Sequence, residues 1–109
     1  HEDEVLYWAG KELARKFPLF SMDEAASFFV EAGWGILTLE KRSKDEAVYA
    51  LTNEPDLLNI EPRSFKIEAG FLAEQMQKNL GFLTECYEEK NIKQQYVKFQ
   101  LKSDLKEQI

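Results

Sequence analysis

Residues 96–102, "YVKFQLK", alternate without interruption: Val97, Phe99 and Leu101 are apolar, and Lys98, Gln100 and Lys102 are polar. Successive side chains of a strand point to opposite faces, so the stretch reads as a strand with one buried face and one wet face. Sheets of that kind are antiparallel and carry their cover on one side only. The rest of the chain must therefore supply that cover. At 109 residues it reads as a single domain, residues 1–109, long enough to bury one real core.

Three segments have the periodicity of helices. Val5, Leu6, Ala9, Leu13 and Phe17 recur at helical spacing, with Asp3 and Glu4 at the start and Arg15 and Lys16 at the end, as the helix dipole favours. Pro18 stops this helix, and Gly10 in its middle fits a close helix contact or, more rarely, a ligand approaching the backbone. In "FSMDEAASFF", Ser21 followed by Glu24 is the capping-box pattern, with Ala25, Ala26 and Phe29 on the apolar face. Ala69, Leu72, Ala73, Met76 and Leu80 mark a third helix from about Glu68 to Leu80, closed by Gly81.

Between the second and third helices lies "EAGWGILTLEK", residues 31–41. Gly33 suits the left-handed position just past a helix end, and a strand follows from Trp34 to Lys41. "KRSKDE" is a polar turn, and Ala47 to Thr52 return as the second strand of a hairpin. "NEPDLLNIEPRS" holds two prolines and reads as a loop. Phe82 to Glu89 and Gln94 to Leu101 form a second hairpin around "EKNIK". The predicted fold is α+β: a four-stranded antiparallel sheet of two hairpins, with about three helices mainly on one face, in the order ααββαββ.

Charge narrows the functional classes. A net charge of −6 argues against nucleic acid and anionic membrane surfaces, both of which call for a basic face. No apolar run approaches the ~18 residues of a membrane span. The single cysteine, Cys86, forms no internal disulfide, and the default compartment is a reducing cytoplasm.

No catalytic motif stands out. His1 is the only histidine, and it lies at the terminus. Gly33-Trp34-Gly35 precedes a strand, whereas phosphate cradles precede a helix. Glu85, Glu88 and Glu89 surround Cys86, so negative neighbours are expected to raise its pKa and leave a poor thiolate. Strand alternation sets Glu85 and Glu89 on one face and Glu88 on the other. The aromatic residues carry more information, at 13% of the chain. Tyr7–Trp8 and Phe28–Phe29 each send rings in two directions from one helix, and the second direction needs a partner helix, a partner chain or an apolar ligand.

"LYWAGKELARKFP", "FFVEAGWGILTLEK" and "IEAGFLAEQMQ" resemble, in order and spacing, the signature stretches of the YslB-like family of low-GC Gram-positive bacteria. That family is similar to the 4-vinyl reductase domain superfamily, a group that includes TRAPP vesicle-tethering subunits of Golgi transport and haem nitric-oxide-binding domains. The resemblance implies an αβ fold with an antiparallel sheet. It implies fold-defining roles for Gly10, Gly33, Gly35 and Gly70, with Trp34 plugging the helix–sheet seam. Relatives carry possible metal-ligating cysteines near the last hairpin, where this chain has only Cys86, and haem relatives need a helical histidine that it lacks. No metal and no cofactor are therefore expected. Relatives also carry a helical segment ahead of the first stretch, and the expectation is that residues 1–109 lack its equivalent.

The leading functional expectation is a non-catalytic sensor- or carrier-like domain for a small apolar molecule. It rests on the apolar cavities of the superfamily and on the aromatic excess. The expected lining is Trp8, Phe28, Trp34, Phe71 and Met76. The alternative is an interaction module, a homodimer formed through the outward rings of the first two helices.

Overall fold

The computed structural model describes residues 2–52, 64–91 and 93–109. Helix α1 (Glu2–Lys16) is followed by a single 3-10 turn (Met22–Glu24) running into α2 (Ala25–Glu31). Strands β1 (Ile36–Arg42) and β2 (Glu46–Thr52) form the first hairpin. Helix α3 (Lys66–Leu80) leads into β3 (Phe82–Asn91) and β4 (Tyr96–Gln108). The predicted order ααββαββ and the antiparallel four-stranded sheet are both present, with spatial order β1-β2-β4-β3. The predicted loop over 53–64 falls, up to residue 63, outside the described residues.

The corner at residues 29–35 explains its own sequence. Gly33 takes φ +75°, its N–H donates to the Val30 carbonyl, and the Trp34 N–H donates to the Phe29 carbonyl. These are the two backbone bonds of a Schellman closure. The apolar contact that usually accompanies it is here Trp34 edge-on to Phe29, centroids 4.9 Å apart. Gly35 follows at φ +128°, another angle that a side chain disfavours, and β1 begins.

The start of α2 differs from the capping-box reading. The Ser21 hydroxyl makes no cap bond, and the Glu24 carboxylate instead accepts the Phe20 N–H at 2.7 Å. The reciprocal geometry is lost because the first turn is 3-10 and brings the backbone N–H of Glu24 to the Ser21 carbonyl. Strand β4 also runs on to Gln108, well past Leu101. A bulge re-pairs Phe82 with Gln108, and the Ile109 N–H reaches the Gly81 carbonyl. The polar stretch "SDLKEQ" shows no apolar alternation; its buried first residue, Ser103, shares a 2.6 Å hydroxyl–hydroxyl hydrogen bond with Thr84 of β3, and backbone pairing carries the strand on from there.

The helices are layered. Helix α3 lies on β3 and β4, α2 lies against β1, and α1 packs on α3. Every residue of α3 from Glu68 to Met76 is buried, polar ones included. The predicted single apolar face, Ala69, Leu72, Ala73 and Met76, joins the core with sheet residues such as Leu51, Val97, Phe99 and Leu101. The other sides are covered by α1 and by the rings of α2. Gln75, fully buried, donates from Nε2 to the Phe17 carbonyl at 2.9 Å and accepts the Leu19 N–H at 3.0 Å, so it ties down the end of α1. A polar group this deep is tolerated because its bonds are made.

Candidate functional site

Two glycines set how close α1 comes. A methyl group at Gly10 would collide with the backbone carbonyl of Ile67, and one at Gly70 with that of Tyr7. The two helices therefore touch backbone to backbone, which only glycine allows. They run in the same direction: the Ser64 hydroxyl bonds Asp3 near their starts (3.4 Å), and Arg15 Nε bonds the Glu74 carboxylate (3.2 Å) further on.

This close approach lets Tyr7 reach past α3 to the sheet. Its hydroxyl accepts the backbone N–H of Cys86 at 3.1 Å. Strand β3 is an edge strand, so that N–H has no neighbouring strand to serve it. The Thr84 N–H is satisfied in the same way by Gln77 Oε1 at 3.1 Å. Further along, the Glu88 carboxylate accepts the Phe65 N–H at 3.0 Å and pairs with Lys66 Nζ at 3.7 Å. Side chains from α1 and α3 thus seal the strand edge.

Between α1 and β3 lies a solvent-open groove of about 540 Å³. Asp3, Glu4, Tyr7 and Trp8 line it from α1, Lys66 from the start of α3, and Glu85, Cys86 and Tyr87 from β3. Burial pushes the Tyr7 phenol from 10.0 up to about 12, against the lowering effect of the Cys86 N–H. Burial is also the main cause that raises the Cys86 thiol, with Glu88 second and Lys66 opposing. Both groups are therefore neutral at pH 7. The acidic neighbours expected to control Cys86 contribute less than its burial does. A second groove of about 530 Å³, on the β3–β4 side, shares Glu85 and Tyr87 with the first and continues past Leu83 and Leu105.

The adjacent rings of α1 diverge. Tyr7 turns inward to Cys86, and Trp8 turns outward, 57% exposed. Lys11 Nζ stands 5.2 Å from the Tyr7 ring centroid and 5.6 Å from that of Trp8, and Arg15 lies 5.8 Å from Trp8. The second pair, Phe28–Phe29, converges instead. Phe28 stacks on Phe71 with centroids 4.4 Å apart, and Trp34 stands edge-on to Phe28, Phe29 and Phe71 at 5.6, 4.9 and 5.4 Å. Met76 is buried in the core. Of the five side chains expected to line a ligand site, Phe28, Trp34 and Phe71 meet one another, Met76 lies in the core, and Trp8 alone lines the groove.

Tyr87, Lys66, Asp3 and Glu4 line the groove without any sequence pattern that marks them. Tyr7 and Cys86 are 79 positions apart, and no local pattern announces their meeting. The one usable signal is the adjacent pair Tyr7–Trp8, which cannot both face α3. Among the described residues, no three His, Cys, Asp or Glu side chains gather as a metal ion would require. No described helix is long and apolar enough to cross a membrane.

The fold resembles the crystal structure of a vinyl-4-reductase family protein from Methanocaldococcus jannaschii, with a TM-score of 0.73 over 91% of this chain and 68% of that one. Sequence identity there is 19%, so the likeness is one of fold. An uncharacterised protein of Bacillus subtilis (strain 168), YslB, is 40% identical over 108 residues, 96% of this chain and 73% of that protein. The family model described as protein of unknown function (DUF2507) matches residues 1–102, and with it the YslB likeness shows that the chain belongs to that family.

Proposed function

We propose that this domain is a non-catalytic binding domain for a small, mainly apolar molecule, seated in the groove between α1 and β3. The groove itself carries the reading: about 540 Å³, lined by Tyr7, Trp8 and Tyr87 with buried Cys86 at its side. Small-molecule sites typically span about 300–1,000 Å³ and combine aromatic walls with a few polar groups. Trp8 and Tyr87 are both more than half exposed, so a ligand there covers apolar surface now in water, at about 25 cal/mol per Å². The other four expected contacts are already engaged. A ligand reaching Phe28, Trp34, Phe71 or Met76 would have to part packed rings, which favours the seat at Trp8. A non-catalytic role is supported by the neutral states of Cys86 and Tyr7, since neither offers a thiolate or a base at neutral pH.

A second reading, a homodimer, is favoured by one observation. Phe20 is 93% exposed, and Phe17, just after α1, and Val30, on α2, are exposed as well, the kind of apolar surface that a partner chain covers. Native mass spectrometry of the chain purified without detergent tests both. A discrete extra mass that solvent extraction removes supports the binding domain, whereas a bare dimer favours the second reading. A bare monomer that shows no groove response to any small apolar probe would sink the first.

A further inference from the structure

We infer that two copies of this chain join through the open edge of β1, strand against strand across a two-fold axis, so that two four-stranded sheets become one. This rests on the second reading, a homodimer, and places its seam at β1 rather than at Phe20. The two outer strands of the sheet, β1 and β3, are finished differently. On β3, Tyr7 and Gln77 accept the N–H groups of Cys86 and Thr84. On β1, no hydrogen bond among the described residues serves the outer side. The ladder tells which groups lie there. The Asp45 carbonyl accepts the Ser103 N–H of β4, and the Glu46 carbonyl accepts the Ser43 N–H, so along β2 the even-numbered residues turn towards β1. Ala50 and Thr52 therefore bond Thr38 and Ile36, and the backbone groups of Leu37 and Leu39 point away from the sheet. Unpaired groups in such a row are a template for another strand. Ile36 and Leu39 add apolar side chains that are 60% and 44% exposed.

Charge and register say which strand. Antiparallel pairing of β1 with its own copy, centred on Thr38, sets Leu37 opposite the partner's Leu39 and joins their free backbone groups. Both side chains then lie on the helix-bearing face, where Leu37 is already in the core. The bulge after Leu39 ends the regular ladder and confines the pairing to residues 36–40. Beyond it, the partner's Lys41 and Arg42 reach the corner where α2 ends. That corner carries Glu31, the last residue of α2, and the negative pole of the helix. Glu31, Lys41 and Arg42 are all exposed, and no ion pair engages them among the described residues. So β1 has an acid at its start and bases at its end, and the two-fold lays each on its opposite, twice. A surface that complements itself in this way is what an isologous dimer requires. The groove between α1 and β3 lies at the other edge of the sheet and stays open in this dimer.

Sedimentation velocity over a concentration series tests this, with the amide spectrum of each variant compared with that of the parent. The parent is expected to be a dimer that weakens as salt is added. Glu31→Lys alone, and Lys41→Glu together with Arg42→Glu, should each weaken the dimer about tenfold. The triple variant, with all three charges reversed, should restore it, which no general loss of folding would do. Leu39→Pro removes an outward N–H and spares the ladder to β2, so it should give a monomer with the parent's fold. Should that variant fail to fold, the charge swap decides. Phe20→Ser should leave the dimer intact. A dimer that Phe20→Ser abolishes, or that ignores the charge reversals, overturns the seam at β1 while the homodimer reading stands. Reversals that weaken the dimer and are not rescued by the triple variant overturn it likewise. A monomer at every concentration overturns both.

Discussion

The two tryptophans of this chain sit in opposite surroundings. Trp34 is wedged among Phe28, Phe29 and Phe71, three rings within 5.6 Å, and helps close the corner from α2 to β1. Trp8 stands more than half in water beside a groove, flanked by Lys11 and Arg15. One ring, half-buried, completes a packed cluster of rings, and the other stands at the surface beneath two cationic side chains. Residue type does not separate packed from exposed aromatics here. What separates them is whether neighbouring rings already occupy the space.

The comparison breaks most visibly at Phe71, the fully buried hub of the ring cluster. Phe71→Ala should cost about 3–5 kcal/mol in urea denaturation, because it removes a fully buried ring on which three others rest. A loss below about 1 kcal/mol would mean that the corner repacks and that the cluster is softer than its geometry suggests. Next comes Gly70→Ala, which drives a methyl into the Tyr7 carbonyl. Forcing the helices apart should cost about 1–3 kcal/mol and disturb the groove, seen as a shift of the Trp8 indole signal.

Tyr7→Phe sharpens the boundary between the two regions. It strips the acceptor from the buried edge N–H of Cys86 and should cost about 1–3 kcal/mol. The same residue has a pH signature. Its phenol is raised from 10.0 to about 12 in the folded chain, so the unfolded phenol ionises first. Its contribution is whole below pH 10 and is lost as pH rises from about 10 to about 12. Cys86 and Tyr49 are raised too and act in the same direction, so Tyr7→Phe should flatten the alkaline loss of stability without abolishing it. An unchanged slope in denaturation curves taken across that range would remove Tyr7 from the account. The smallest effect is expected at Trp8→Ala: stability within about 0.5 kcal/mol of the parent. A large loss there would make Trp8 a structural residue after all and erase the contrast with Trp34.

Much of this was legible along the chain. The alternation of Val97, Phe99 and Leu101 announces a one-sided sheet, and all three are buried. The Gly33–Trp34 corner could be read because a helix closure is decided within about six residues. Other features could not. Helix α3 shows one apolar face in sequence and yet is buried all round, since α1 and the residues just after it cover the side that carries Glu74 and Gln75. The end of β4 carries no strand signal and is held by its pairing with β3. Of the expected ligand contacts, only Trp8 lines the groove, because its other walls come from β3 and the start of α3, far away in sequence.

The sequence by itself determined the order of helices and strands, the one-sided sheet and the glycine closures, because periodicity, dipole charges and caps act between residues a few positions apart. Tertiary structure alone decided that α1 rests on α3, that Tyr7 serves the edge of β3, and that Trp8 borders a groove while Trp34 packs against the core. These outcomes depend on contacts across tens of residues. They hang on two helix backbones meeting at Gly10 and Gly70, where the absence of a side chain shows its purpose only once the partner helix is in place.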